Sequence, residues 1–357
     1  MKTPRNRECL GWNEWFDKQA QRNCGFQYQP ARVIAVDRDQ FLLLNECGGT
    51  RGKLSGKYRF ESNSPEQLPC VGDWVCIDKG SADEFGLIHS VIERKTCLRR
   101  KAVGQSFDYQ MIAANIDVVF IVQSCHYDFN LKRLERYLVM VAEGGAAPYI
   151  ILTKTDLVAP DVLAAQISEI ETVGIDEPIL TLSNVTKEGV AELSCILSPG
   201  NTYCFVGSSG VGKSTIINGL LGQKLLDTEN VSGTGEGRHT TVRRELIVLD
   251  NSAMVIDNPG MREFGVVGSA DGFEAGFSDI NTIAPGCRFR DCSHTNEPGC
   301  AVLKALKEGK ISQEHYENFS KLRAESEFNQ MSHAEKRKRD RDFGRFIKIA
   351  KKDFYRE

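Results

Sequence analysis

The chain lacks any long hydrophobic run. Across its 357 residues, no segment approaches the roughly 18–20 consecutive apolar residues of a membrane-crossing helix, which argues against a membrane span. The opening residues, Met1 to Cys9, are polar and lack the apolar core of a secretory signal, so a cytoplasmic location is expected. A global excess of positive charge is missing too. With a net charge of −3 there is no overall attraction for DNA, and any nucleic-acid contact must come from local basic patches. No internal repeat and no long low-complexity tract occurs. Cysteine, by contrast, is plentiful, at 12 residues. Most lie in apolar segments, as at Cys76, Cys125, Cys195 and Cys204. A chain of this size can build a core without covalent staples, so reduced thiols are expected. The length favours two or three domains, and 41% hydrophobic with 26% charged residues is the composition of a soluble globular protein.

Residues 31–101 hold short β-branched or aliphatic runs at 31–36, 40–44, 73–77 and 86–92, separated by glycine turns, a pattern that predicts a small β-barrel. Two stretches in it are basic: TRGKLSGKYRF at 50–60, with Tyr58 and Phe60 interleaved, and Arg94, Lys95, Arg99, Arg100 and Lys101. Basic residues alternating with aromatics on a barrel suit RNA backbone and base stacking, but taken alone either stretch reads first as a solvated strand face. From Asn115 onward strands alternate with helices. Strands are predicted at 117–122, 149–152, 179–182, 202–206, 245–249 and 253–256, and helices at 131–143, 162–173 and 213–221, which implies a mostly parallel sheet covered on both faces. Beyond residue 276 come a cysteine and histidine cluster, helical segments at 301–308 and 312–325, and a tail (334–357) with ten Lys/Arg against five Asp/Glu. The expected organisation is an N-terminal extension (1–30), a barrel (31–105), an α/β domain (106–275) and a helical, metal-bearing domain with its basic tail (276–357).

Residues 207–214 read GSSGVGKS, follow a predicted strand and open a predicted helix, which is the context a phosphate-binding loop requires. The backbone from Gly207 through Ser208, Ser209, Gly210, Val211 and Gly212 to Thr215 would wrap the phosphates at a helix N-terminus. Lys213 would reach the β- and γ-phosphates, and Ser214 would place its hydroxyl on Mg²⁺. Asp257-Asn258-Pro259-Gly260 ends another strand, so Asp257 can hold Mg²⁺ through water while Gly260 offers its N–H to the γ-phosphate. Between them GTGEGRHTTVRREL (233–246) supplies a threonine for the Mg²⁺ shell. Ser214, Thr241 and Asp257 form the expected Mg²⁺ set, with Thr240 the other candidate threonine. TKTD (153–156) follows its own strand and supplies a guanine reader. Asp156 would accept two hydrogen bonds from the base, each discriminating against adenine by about 10- to 100-fold. Lys154 would pack along the base, and Ser183 follows the next strand. Thr153 stands where asparagine is more usual, which should loosen a loop-bracing contact more than guanine selection.

The base reader and serine loop precede the phosphate loop, threonine switch and DxPG. With GSSGVGKS, GRHTT, DNPGMREFG and CRFRDCSHTNEPGC, this order resembles the circularly permuted, ribosome small-subunit-dependent GTPase A family over roughly residues 30–325. The resemblance implies an oligonucleotide-binding (OB-fold) barrel, a permuted P-loop GTPase domain and an α-helical zinc-binding domain. It also implies GTP and GDP with Mg²⁺ as ligands, the 30S subunit and its 16S rRNA as partners, and hydrolysis stimulated by that subunit. A monomer is expected. Trp12, Trp15 and Phe16 differ from a plain basic extension, as a divergent paralogue would.

Cys287, Cys292, His294 and Cys300 place three thiolates and an imidazole within 14 residues. Four soft protein ligands close a tetrahedral shell, so a structural Zn²⁺ is expected rather than a catalytic one. Small GTPases commonly orient water with a glutamine after the DxxG glycine; Met261 stands here and cannot do so. In the resembled family a hydrophobic residue is expected there, and His239 of the switch is the candidate replacement. The alternatives are a nucleotide-gated RNA-binding factor with incidental hydrolysis and, more weakly, an ATP-dependent enzyme on the same loop. Permutation also leaves the DxPG glycine only 27 residues before Cys287, so this switch is expected to pull directly on the zinc domain.

Overall fold

The computed structural model describes residues 6–38, 40–78, 85–101, 109–222, 244–257, 273 and 276–331, with isolated positions 335, 338, 339, 341 and 345. Strand β1 (Tyr28–Asp37) buries both of its faces. Side chains alternate along a strand, so Ala31 and Val33 point one way and Arg32 and Ile34 the other. Ala31 and Val33 meet Phe41, Leu43, Val75, Ile77 and Ile88 in the barrel core. Ile34 joins Leu44, Trp74 and Cys76 in the larger core shared with the α/β unit. The barrel adds β2 (Gln40–Asn45), β3 (Gly48–Leu54), β4 (Trp74–Asp78) and β5 (Gly86–Val91) in the order β1-β2-β3-β5-β4, and β4 returns to β1 to close it. The first basic stretch therefore forms β3 and a short helix, α2 (Gly56–Glu61).

Residues Cys97–Lys101, which sequence periodicity assigned to the barrel, instead form β6, a hairpin with β7 (Tyr109–Ala114) in a separate two-stranded sheet. Ahead of the barrel, helix α1 (Glu14–Asn23) is capped by the Asn13 side chain, which accepts from Trp15 N at 3.0 Å. It lays Trp12 and Phe16 on Trp74, the Trp12 ring edge-on at 4.7 Å. The structure also pairs Cys24 with Cys76 in a disulfide, a correction to the expectation of reduced thiols throughout. The two lie 52 residues apart, and sequence spacing gives no hint that α1 returns to β4.

The α/β unit is built on β8 (Val118–Ser124), β9 (Ala147–Thr153), β10 (Ile179–Leu182), β11 (Thr202–Val206), β12 (Glu245–Val248) and β13 (Met254–Asp257), in the order β10-β9-β8-β11-β13-β12. All pairings are parallel except that of β12. Both faces are covered, so its strands read as continuous apolar runs. One face packs on α5 (Val190–Ile196) and α6 (Lys213–Leu221) through Phe120, Val122, Leu193, Phe205, Ile216 and Ile217. The other packs on α3 (Leu131–Glu143) and α4 (Pro160–Thr172) through Val119, Ile121, Leu134, Leu138, Val141 and Ile170. Each such side chain contributes about 1.5–3 kcal/mol on burial. A bridge between Ala35 and Glu245 joins barrel and α/β unit into one 11-stranded sheet.

Arg32 rivets that junction. Its side chain is almost wholly buried, and it donates to the carbonyls of Leu10, Gly72 (3.2 Å) and Asn115 (2.9 Å) and to the Thr202 hydroxyl (2.8 Å). Burial lowers its pKa to about 10, against the opposing charges of Asp117 and Asp73. The C-terminal unit consists of α7 (Ser278–Ile283), α8 (Ala301–Lys307) and α9 (Gln313–Gln330). Phe277, Ile280, Val302, Phe319 and Leu322 form its core together with Val139 of α3.

Candidate functional site

Parallel strands in register bring their carboxyl ends to one edge, where loop residues from different strands meet. Phe205 is opposite Asp257, and Leu182 is opposite Thr153. Segments 153–156, 183–184, 207–214 and residue 257 therefore converge there although the chain separates them widely. The loop from Gly207 to Gly212 can turn only because of its glycines. A Cβ on Gly207, at φ +146°, would sit 2.2 Å from Val122 O. Gly212 takes φ +103° immediately before α6.

Lys213 is buried at the first turn of α6 and donates to Gly207 O at 2.8 Å and Ser208 O at 2.6 Å. An ammonium group carries three donors, so one remains for a ligand. Burial lowers the Lys213 pKa to about 8, with Asp257 and Asp128 acting in the opposite sense. Burial raises the Asp257 carboxyl, and Lys213 partly offsets this. Asp257 Oδ1 is buried and has no hydrogen-bond partner among the described residues. An orphaned carboxylate oxygen facing the charge of a buried lysine fits a hydrated divalent cation.

The β9–β10 end of this edge is equally tied down. Ser183 is fully buried, donates to Asp156 Oδ1 at 2.5 Å and accepts from the N–H groups of Val185 and Thr186, both at 3.1 Å. That aims an otherwise exposed carboxylate. Lys154 adopts φ +59°, a left-handed conformation that turns the chain from β9 into the Asp156 loop. The Thr153 hydroxyl lies 2.6 Å from Val211 O and 3.1 Å from Gln123 O. It has one proton, and the shorter contact goes to the phosphate loop. Thr153 therefore reaches that loop directly, through its single hydroxyl proton. His239, Thr240, Thr241 and Gly260 lie outside the described residues.

Against this geometry the comparisons are specific. The RsgA GTPase family model matches residues 91–267. A small ribosomal subunit biogenesis GTPase RsgA 2 of Lactiplantibacillus plantarum is 40% identical over 331 residues, covering 91% of this chain and 92% of that relative. The chain belongs to the RsgA GTPase family. A Methanosarcina acetivorans member, also named small ribosomal subunit biogenesis GTPase RsgA, is 42% identical over 89% of this chain and 85% of its own length. The crystal structure of YjeQ from Thermotoga maritima superposes with a TM-score of 0.63 at 25% identity, covering 84% of this chain and 98% of that one. YloQ, described as a circularly permuted GTPase, matches in fold with a TM-score of 0.58 over 86% of this chain and 98% of its own. This RsgA-family chain is a GTP-hydrolysing enzyme with a permuted nucleotide domain, and none of its described helices is long and apolar enough to cross a membrane.

The metal-ligand cluster survives folding. The ligand atoms of Cys287, Cys292, His294 and Cys300 lie within 4.8 Å of one another. Cys287 Sγ is 3.8 Å from Cys300 Sγ, and His294 Nδ1 lies 3.5 Å and 3.4 Å from those two sulfurs. Tetrahedral Zn²⁺ requires edges of about 3.8 Å between sulfurs and about 3.6 Å between sulfur and nitrogen. The N–H groups of Ala301 and Leu303 at the start of α8 donate to Cys287 and Cys300, at 3.3 Å and 3.4 Å.

The two basic stretches part company in the fold. Arg94 is spent internally: it forks onto the buried Asp73 at 2.8 Å through both oxygens and donates to Glu66 O and Leu68 O. Arg100 bonds Gln110, and Arg99 stacks on Tyr109. Arg51, Lys53, Lys57 and Arg59 are exposed, with Lys53 over the Phe85 ring at 4.3 Å and Lys57 3.9 Å from Glu61, and Phe60 on the same stretch is 89% accessible.

Proposed function

We propose that this enzyme hydrolyses GTP during late maturation of the small (30S) ribosomal subunit, is stimulated by that subunit, and holds 16S rRNA through its barrel and C-terminal unit. The observation that carries the reading is the convergence of Asp156, Lys213 and Asp257 on one sheet edge of a chain whose relatives are named small ribosomal subunit biogenesis GTPases. Asp156, aimed by Ser183, accepts the guanine N–H groups, and Lys154 lies along the base. The loop from Gly207 to Thr215 wraps the phosphates, and the free donor of Lys213 meets the β- and γ-oxygens. Ser214, Asp257 and Thr241 or Thr240 hold Mg²⁺, which neutralises phosphate charge. Gly260 marks the γ-phosphate. Water attacks the γ-phosphorus, the bond to the β,γ-bridging oxygen breaks, and GDP and phosphate leave. His239 positions that water, since Met261 cannot.

The barrel's strand order suits an oligonucleotide-binding surface, with Arg51, Lys53, Lys57 and Arg59 on phosphates and Phe60 free to stack on a base. Cys287, Cys292, His294 and Cys300 hold one structural Zn²⁺. The units are an extension (1–30), a barrel that ends before the β6–β7 hairpin, an α/β unit reaching 275 and a C-terminal unit (276–357), in a cytoplasmic monomer.

Cosedimentation with purified 30S subunits in GTP analogue and in GDP, with turnover measured in the same samples, tests the reading. Nucleotide-dependent binding and stimulated turnover are expected, the latter lost in His239→Ala while nucleotide binding persists. Binding without stimulation points to a nucleotide-gated RNA-binding factor, and preference for ATP over GTP removes the role of Asp156.

A further inference from the structure

Helix α3 stands between the phosphate loop and the C-terminal unit, and its first two turns bond to both. The turn before it is fixed. Asn130 caps the helix, accepting from Arg133 N at 2.9 Å, and the buried Gln123 side chain of β8 brackets the Asn130 backbone at 3.0 and 3.1 Å. From this mount the Arg133 guanidinium reaches the Asp128 carboxylate and the hydroxyl of Ser208 in the phosphate loop. Ser208 is also the residue whose carbonyl accepts from Lys213. Two cationic side chains therefore hold the same loop residue, one by its backbone and one by its side chain.

The neighbouring face of α3 carries residues 132, 135 and 136, which helical spacing places together. Lys132 pairs with Glu314 at 3.1 Å, and Arg136 pairs with Glu325 at 2.9 Å. Glu135, fully buried, accepts from His315 Nδ1 at 2.6 Å and from the Asn318 amide, and His315 Nε2 bonds Asp279 of α7 at 3.0 Å. A rigid helix gripped at adjacent positions by two separate units transmits a displacement of one to the other.

We propose that Arg133 is a positioning residue through which occupancy of the phosphate loop is coupled, along α3, to the seating of α9 and with it the C-terminal unit. The proposal rests on residues 207–214 being the phosphate loop. Phosphate entering the loop competes with Ser208 for the surrounding positive charge and resets the Arg133 contact. By linkage, loosening α9 must change nucleotide affinity by the same factor that nucleotide changes the seating of α9.

Hydrogen exchange of residues 313–330 in the full-length protein, with and without Mg²⁺ and a non-hydrolysable GTP analogue, tests this. Nucleotide is expected to change exchange there by at least about 5-fold, the lower end of ordinary coupling. Arg133→Met should abolish the change. Arg133→Lys, which keeps a charged donor for Ser208, should restore part of it, whereas a space-filling role would let methionine serve as well as lysine. Analogue affinity supplies a second arm. Arg133→Met and Arg136→Met should each weaken it, and the double variant should be no weaker than the worse single variant by more than about 2-fold. Unchanged exchange in the wild type, or strictly multiplicative losses in the variants, overturns the coupling. Failure of the wild type to bind the analogue, or binding that survives Lys213→Ala, would instead remove the phosphate-loop reading itself.

Discussion

The buried pair of hydrogen bonds to His315 makes the seating of the C-terminal unit dependent on pH. Burial by itself would lower the imidazole pKa, but the hydrogen bonds it donates to Asp279 and Glu135, with their charges, outweigh it and raise the pKa from 6.5 to about 9. His315 is therefore an imidazolium that donates from both nitrogens at neutral pH. A folded pKa above the unfolded one means that folding takes up a proton between the two values. The stabilisation is complete below pH about 6.5, falls by roughly 1.4 kcal/mol per unit above it, and is gone beyond pH about 9. A shift of about 2.5 units sets a ceiling of about 3 kcal/mol. Urea unfolding of the wild type and His315→Gln across pH 6–9.5 isolates this contribution, because every other titrating group is shared. The difference between the two proteins should shrink by up to about 3 kcal/mol between pH 6.5 and 9. A difference that stays constant over that range, or grows with pH, refutes the account.

Other consequences are equally direct. Phosphate favours charged Lys213, whose pKa burial has lowered to about 8, so GTP affinity should be flat below that pH and weaken by up to about tenfold per unit above it. Calorimetry at pH 8.5 in buffers of different ionisation enthalpy should register proton uptake on binding, and proton release contradicts it. Arg32→Met strands the carbonyls of Leu10 and Asn115, takes one of two donors from that of Gly72, and should destabilise the fold by about 3–5 kcal/mol in urea unfolding. A loss below about 1 kcal/mol contradicts the rivet. Metal analysis should return one zinc per chain, and its chelation should expose three reactive thiols and strip exchange protection from residues 276–330; an intact, protected unit after metal removal would leave the cluster without a structural role.

Much of the nucleotide site was legible because its chemistry is local. The glycines, lysine and serine of the 207–214 loop lie close together in the chain, and three cysteines with a histidine within 14 residues announce themselves by ligand type. Strand periodicity likewise placed all six strands of the α/β sheet to within a few residues. What stayed hidden depended on partners distant in the chain. Helix α1 is held by Trp12 and Phe16 meeting Trp74, and Cys24 meets Cys76; neither pairing has a sequence signature. The basic stretch from Arg94 looked like its neighbour at 50–60 until the buried Asp73 claimed its first arginine.

The sequence by itself determined the motifs, their permuted order and hence the enzyme class, because short-range geometry suffices to make each motif. Only the tertiary structure decided how the motifs act on one another. Ser208 meets Arg133 across 75 residues, and Glu135 meets His315 across 180. Such contacts are selected by burial and by the need to pair every buried charge. Those requirements become visible only when strands and helices separated in sequence have closed on a common core.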